Sequence, residues 1–168
     1  MSLGLPSQRR VGFYPCCAND VREPVEILAG QVDHIIFCDR SAQDGWNGFR
    51  HSENFVHSKF PSFEFRVGPW RKVVSKIDPF DLLFYRRDSE GEGGSGDSAI
   101  STDALQLLFG HMSDPCWIIT DGKYDPDCLV ESVVQRSRAV SAGRMLKLES
   151  DKSLTKLGLV RMRAGKLA

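Results

Sequence analysis

The sequence alternates short, continuously apolar runs with segments that carry helix-start signals, and this alternation restricts the fold more than any other feature. The four clearest strands predicted from these runs occupy residues 11–14, 32–38, 81–85 and 116–120, and their few polar residues lie near the ends. Strands that are apolar along their whole length are typical of a parallel sheet with helices packed on both faces. Two later runs, at 145–148 and 157–162, flank a turn at 151–153, a pattern typical of a β-hairpin. We therefore predict an α/β fold with a mostly parallel sheet of about seven strands and a C-terminal antiparallel hairpin.

Helices are predicted between these runs. Asn19 or Asp20 is suited to cap the first helix, at 21–29, because a short polar side chain there accepts a backbone N–H, and Gly30 is suited to end it. The other elements predicted from such signals are a short helix within 46–59, an edge strand at 63–67, and helices at 70–77, 102–112 and 127–140. The expected architecture has three layers, with the sheet between two helical layers.

The length of 168 residues fits one domain, which we place at 11–168, and residues 1–10 are interpreted as a disordered or vector-derived terminus. No apolar run approaches the roughly 18 residues that cross a bilayer, and no signal-peptide core follows the start. The five cysteines include no CxxC pair, which predicts reduced thiols, mostly in the core, and no metal site. We therefore expect a cytoplasmic protein with no membrane partner.

The chain has 22 basic and 22 acidic residues, but they are unevenly distributed. Residues 78–131 carry twelve acids against three bases, whereas the chain from Arg144 onward carries seven bases against two acids. A basic segment occurs in nucleic-acid-binding proteins, but it also suits a solvated strand face, and the interleaved aromatic residues of a base-stacking groove are missing. We favour the solvated face, and we expect a small-molecule ligand, with nucleic acid as the less favoured partner.

Polar or small side chains follow four of the predicted strands at the points where the strands end. They lie at 16–20, at Asp39, at 88–95 and at Asp121. The carboxyl ends of parallel strands meet at the same edge of a sheet, and this edge is where such folds bind ligands. Asp39 lies about 20 residues beyond Asp20, the spacing expected of an acid that binds ribose in a nucleotide-binding βαβ unit.

This order of elements resembles the class I S-adenosylmethionine-dependent methyltransferases, whose Rossmann-like sheet ends in such a hairpin. The resemblance implies that the loop after the first strand cradles S-adenosylmethionine, that an acid after the second strand binds the ribose hydroxyls, and that the loop after the fourth strand faces the reacting centre. Residues 15–19 (Pro-Cys-Cys-Ala-Asn) stand where that family carries glycines. Position by position, the resemblance implies a catalytic role for Asp88 and cofactor contacts from Cys16, Cys17, Asn19, Asp20, Asp39, Gly93, Gly94 and Ser95.

Residues 89–98 form a glycine-rich acidic loop. Its carboxylates repel a bare phosphate, so this composition suits a metal-bridged phosphate, a cationic group such as a sulfonium, or a mobile lid.

One loop also resembles the phosphate loop of low-molecular-weight protein tyrosine phosphatases. Cys16 and Arg22 have the Cys-x5-Arg spacing, and an Asp-Pro pair at 125–126 lies where that family places its general acid. The resemblance implies a nucleophilic Cys16 and an Arg22 that holds phosphate. Against this, Asp20 and Glu23 oppose a dianion, and they predict a protonated Cys16 that alkylates slowly. A third alternative is a non-catalytic Rossmann-like interaction module.

Overall fold

A computed structural model describes residues 9–50, 59–86, 102–121 and 144–166. The strands in this part of the chain are β1 (Val11–Pro15), β2 (His34–Asp39), β3 (Ser62–Val67), β4 (Phe80–Tyr85), β5 (Met112–Thr120), β6 (Arg144–Glu149) and β7 (Val160–Lys166). They form one seven-stranded sheet in the order β3-β2-β1-β4-β5-β7-β6. Neighbours among β1 to β5 pair in parallel, and β7 runs antiparallel to both β5 and β6. The predicted fold class is confirmed.

Helices cover both faces of this sheet. The helices in the described residues are α1 (Arg22–Ile27), α2 (Asp44–Arg50), α3 (Trp70–Val74), α4 (Thr102–His111) and α5 (Lys152–Lys156). Side chains of α1 and α2 share one buried cluster with one face of the sheet. Those of α3 and α4 share a second cluster with the opposite face. The predicted three-layer arrangement is therefore present.

Burial on both faces explains why the strands are apolar throughout. Successive residues of β1 and β4 point to opposite faces, so Phe13 and Leu83 join the cluster of α3 and α4, whereas Tyr14 and Phe84 join that of α1 and α2. All four side chains are 0% exposed. The strands are apolar throughout because alternate residues belong to two buried cores, one on each face of the sheet.

The start of α1 differs from its prediction. The helix begins at Arg22, and no side chain caps its N-terminus, so the predicted cap by Asn19 or Asp20 is wrong. The Asn19 amide oxygen accepts the backbone N–H of Gly45 at 3.2 Å, and the Asp20 carboxylate accepts bonds from residues on β1 and β4 described below. Both side chains therefore form hydrogen bonds with residues outside α1 instead of capping the helix.

The C-terminal hairpin is present, but its connection is longer than a turn. Residue Asp151 caps α5, because its carboxylate accepts the backbone N–H groups of Ser153 and Leu154. The strand that closes the hairpin, β7, lies between β5 and β6 instead of at the sheet edge. The predicted helix at 127–140 lies outside the described residues, as does most of the predicted terminus. Among the helices that the structure describes, none is long and apolar enough to cross a membrane.

Candidate ligand site at the carboxyl edge

The ends of β1, β2 and β4 meet at one edge of the sheet, which we call the carboxyl edge. The structure brings together there the β1 loop (residues 16–20), Asp39 at the end of β2, and Arg86 just after β4. The strand order reverses between β1 and β4, the place where doubly wound sheets open a ligand crevice. The predicted residues Asp88, Gly93, Gly94 and Ser95 lie outside the described part of the chain.

The β1 loop has the backbone conformation of glycines without containing any. Cys16 has a φ of 56° and Ala18 a φ of 45°, both in the left-handed region that residues with a Cβ avoid. This conformation costs roughly 1–2 kcal/mol for each such residue. The loop therefore turns sharply at Cys16 and again at Ala18, in the segment where the class I methyltransferases that the sequence resembles carry glycines. Nothing in the sequence indicates this turn, because neither residue type favours a positive φ.

Asp39 is joined to this loop by its side chain. One carboxylate oxygen accepts the backbone N–H of Ala18 at 3.0 Å. The other accepts the backbone N–H of Ser41 at 3.4 Å and the amide of Gln43 at 3.3 Å. The carboxylate is half-buried, and its two oxygens offer about four acceptor positions. It thus keeps the capacity to accept a further hydrogen bond from a ligand hydroxyl.

Three backbone N–H groups of the loop are used inside the protein. Cys17 N–H donates to the Cys38 carbonyl at 3.1 Å, Asp20 N–H to the Cys17 carbonyl at 2.8 Å, and Ala18 N–H to Asp39. A phosphate-binding loop needs several such groups directed at one anion. The loop also has a carboxylate on its Ala18 N–H, where a phosphatase would bind its substrate. This geometry disfavours the phosphatase interpretation.

An ion-pair network closes the other side of the loop. The Arg86 guanidinium donates to both carboxylate oxygens of Asp20, at 2.7 and 2.9 Å, and to Glu23 at 2.8 Å. The Tyr14 hydroxyl also donates to Asp20, at 2.8 Å. Burial lowers the pKa of Arg86, but the hydrogen bonds to Asp20 and Glu23 outweigh burial and raise it overall. Burial, followed by the charge of Asp20, raises the pKa of Tyr14.

Sequence reasoning did not select Arg86 as a site residue. The available signal was a basic residue directly after an apolar strand, at the start of the most acidic stretch of the chain.

Two buried thiols at this edge, those of Cys17 and Cys38, are held in their protonated form. Cys17 and Cys38 are 0% exposed. Burial, followed by the charge of Asp39, raises the pKa of Cys17 well above its ordinary value. Burial, followed by Cys16 and Asp39, raises the pKa of Cys38 to about 12. Cys16 itself is half-buried. In the described residues, no group of three or more His, Cys, Asp or Glu side chains is arranged to hold a metal ion.

Helix α2 is attached to the same loop. The indole N–H of Trp46 donates to the Ala18 carbonyl at 2.7 Å, and Asn19 accepts from Gly45. Trp46 is buried and stacks on Phe65 with ring centroids 4.5 Å apart. The Asn19 side chain, predicted to contact a cofactor, is therefore bonded to α2.

The strand order, the antiparallel β7 and the acid at the end of β2 define the class I methyltransferase-like variant of the Rossmann fold. No protein-family model matches the sequence, and none of the curated proteins matches it. Solved structures do match. An O-methyltransferase from Bacillus cereus, in complex with S-adenosylhomocysteine, is 12% identical, with a TM-score of 0.58 over 94% of this chain and 74% of its own.

A 16S rRNA adenine methyltransferase from Catenulisporales acidiphilia, with the cosubstrate S-adenosylmethionine, is 11% identical, with a TM-score of 0.58 over 95% of this chain and 85% of its own. The spermidine synthase of Thermotoga maritima is 11% identical, with a TM-score of 0.53 over 95% of this chain. This chain spans about half the length of that synthase, 54% of it. At these identities the similarity is one of fold.

Proposed function

We propose that this chain binds S-adenosylmethionine at the carboxyl edge and acts as a methyltransferase whose acceptor is still to be identified. One observation carries the proposal: Asp39 is bonded to the backbone of the β1 loop at 3.0 Å, so the acid and the loop form one fixed surface. Matched structures that contain S-adenosylmethionine or S-adenosylhomocysteine on the same fold support it.

In this proposal Asp39 accepts hydrogen bonds from the ribose hydroxyls of the ligand. Its contacts with Ala18, Ser41 and Gln43 orient the carboxylate before the ligand arrives, so little ordering is required on binding. A hydrogen bond from a hydroxyl to a carboxylate is stronger than one between neutral groups, and its contribution is about 1.5–3 kcal/mol.

The protonated thiols also fit a methyl-donor ligand. A thiolate is a strong nucleophile, and beside a methyl sulfonium it would accept the methyl group itself. Cys17 and Cys38 are fully buried and their raised pKa values keep both sulfurs in the thiol form at neutral pH, so neither competes for the methyl group. The carboxylate of Asp39 next to them favours a positively charged ligand.

Asp88 remains our proposed catalytic residue, and Gly93, Gly94 and Ser95 remain proposed cofactor contacts. Support for these assignments is indirect. The segment that contains them follows β4, and Arg86, just after that strand, already contacts the β1 loop.

The test is calorimetric titration of the wild type and of Asp39→Asn with S-adenosylhomocysteine. We expect the substitution to weaken binding by roughly 10- to 100-fold, because a charge-assisted hydrogen bond becomes a neutral one. The matched control is Asp33→Asn, the same change just before the other end of β2, where the carboxylate accepts the backbone N–H of Arg10. This control is expected to bind like the wild type.

Thermal unfolding gives a second measurement. At about 100 times its dissociation constant, a ligand adds about 2.7 kcal/mol to the free energy of unfolding. If neither S-adenosylmethionine nor S-adenosylhomocysteine raises the midpoint at millimolar concentration, the proposal is wrong. Unchanged binding by Asp39→Asn would remove the assigned role of Asp39.

A further inference from the structure

We propose that a cleft across β5, β7 and β6, on the sheet face opposite α4, is a docking surface for the phosphodiester backbone of a single-stranded nucleic acid. We call it the basic cleft. Its volume is about 430 Å³, and it is lined by Asp114, Pro115, Met145, Lys147, Arg163 and Gly165. It lies away from the carboxyl edge and does not depend on the methyltransferase proposal.

Two arginines of the basic C-terminal segment, in the part that the structure describes, have partners inside the protein. Arg144 donates to the carbonyls of Met112 and Ser113, at 2.7 and 2.8 Å. Arg161 lies opposite Glu149 in the β6–β7 ladder and forms an ion pair with it at 3.2 Å. These two arginines therefore need no external anion.

Lys147 and Arg163 are different. They lie directly opposite each other in the same ladder, two residues from the Arg161–Glu149 pair. Directly opposite side chains have Cβ atoms about 4.5–5.5 Å apart, so the two positive charges repel each other. Both side chains are exposed, and no acid in the described part of the chain forms an ion pair with either. An anion bound between them would remove this repulsion.

Side chains alternate between the two faces along each strand, and this alternation decides which face of the sheet Lys147 and Arg163 occupy. Their ladder neighbours Leu146, Met162 and Ala164 are buried in the cluster that contains α4. Lys147 and Arg163 consequently point to the opposite face. The pair thus projects from an outward-facing sheet surface.

Lys147 and Arg163 outnumber Asp114, the one acid among the residues that line the basic cleft, and the rest of the lining is apolar and open. Met145 is 44% exposed, and it lies opposite Gly165 in the ladder. A Cβ added at Gly165 would meet only an oxygen of Asp114, at 3.9 Å. The missing side chain leaves room for a ligand between the cations and Pro115. Met145 and Pro115 offer an apolar surface to a sugar or a base.

Charge complementarity favours a polyanion over a single phosphate. Two solvent-exposed cations attract one small anion weakly, because water screens the charges. A nucleic acid gains more, since each phosphate that a cation neutralises releases a condensed counterion. On the same face Arg163 lies opposite Trp117 in the β5–β7 ladder, so one cation of the pair adjoins an aromatic side chain. A cation beside an aromatic side chain suits a single strand better than an acidic peptide.

The test uses fluorescence polarisation with a labelled single-stranded RNA of about 20 nucleotides. The full chain is compared with K147Q/R163Q at salt concentrations from about 50 to about 200 mM. We expect the double variant to bind roughly 10-fold more weakly at the lowest salt. The slope of log K against log salt, which is negative, should become smaller in magnitude by about 1.4, because each of the two phosphates that the variant leaves without a cation accounts for about 0.7.

The matched control is K152Q/K156Q, which removes the same charge from the exposed lysines of α5. It is expected to keep its affinity for RNA, and K147R/R163K, which keeps both charges, is expected to bind like the wild type. The thermal midpoint of K147Q/R163Q should not fall, because a like-charge pair is removed.

Three results would overturn the proposal. One is a reduction of affinity in K152Q/K156Q as large as in K147Q/R163Q, and another is a wild type that binds RNA no better than K147Q/R163Q. The third is competition by polyglutamate as effective, charge for charge, as competition by unlabelled RNA, which would assign the surface to an acidic peptide.

Discussion

At the scale of single residues, Ala18 occupies a conformation that suits glycine. Replacing Ala18 with glycine should raise the free energy of unfolding by about 0.5–1 kcal/mol, because relief of roughly 1–2 kcal/mol of left-handed strain exceeds the entropy that glycine adds to the unfolded chain. The Ala18 N–H bond to Asp39 is made by the backbone and is retained. Urea denaturation measures the change.

Gly30 provides the reverse control for this substitution. Its φ is 76°, and an added Cβ would meet nothing within 4 Å, so Gly30→Ala should destabilise through the backbone alone, by about 1 kcal/mol. A loss of stability in Ala18→Gly would contradict the strain assigned to the β1 loop.

The thiols give a second prediction at this scale. Cys38 is fully buried and burial raises its pKa to about 12, so the thiol form dominates at pH 7 and iodoacetamide should label the folded protein slowly and faster as the pH rises. For Cys16 we expect slow labelling and protection by S-adenosylhomocysteine. Mass spectrometry of the alkylated peptides identifies each site, with urea-unfolded protein as the reactive control. Rapid labelling of Cys16 near pH 6, blocked by phosphate, would instead favour the phosphatase interpretation.

At the scale of elements, Arg86 joins the end of β4 to the β1 loop and the first turn of α1. Removing it leaves the mostly buried Asp20 carboxylate without its bidentate partner, so Arg86→Gln should lower the free energy of unfolding by about 2–3 kcal/mol. Arg86→Lys should recover only part of this stability, because an ammonium cannot form both parallel bonds. Chemical denaturation measures both variants.

A surface ion pair supplies the comparison for Arg86. The pair between Arg66 and Glu64, on the edge strand β3, has a similar distance of 2.9 Å but side chains that are 54% and 37% exposed. Arg66→Gln should therefore change stability by less than about 1 kcal/mol. Equal effects at Arg66 and Arg86 would show that burial adds nothing to the β4–α1 connection.

The elements differ in how well the sequence predicts them. Strands buried on both faces, such as β1 and β4, leave continuous apolar runs, and their predicted bounds agree with the structure to within a residue. The cap of α1 is not predicted correctly, because Gly45 and Arg86, the partners that take Asn19 and Asp20, lie far along the chain. Capping patterns in the sequence predict hydrogen bonds between neighbouring residues, whereas Asn19 and Asp20 bond to residues that are distant in the sequence.

At the scale of the whole molecule, the sequence predicts only part of the candidate site, because some of its contacts join residues that are distant in the sequence. A parallel sheet places the β1 loop and Asp39 at a common edge, so the sequence predicts their proximity. It does not contain the strand order, and only the adjacency of β4 and β1 brings Arg86 to Asp20. The two cores lie on opposite faces of one sheet in the described residues, and a single domain at 11–168 stays a prediction.

The insertion of β7 between β5 and β6 has a consequence for how the chain folds. In the described sheet β6 pairs only with β7, so β6 has no partner when it leaves the ribosome and acquires one only after the following strand has been synthesised. The sheet therefore cannot grow outward in the order of translation. Its last two strands must join together, after a long loop has closed, and such non-local pairing slows folding and leaves strand edges open to other chains.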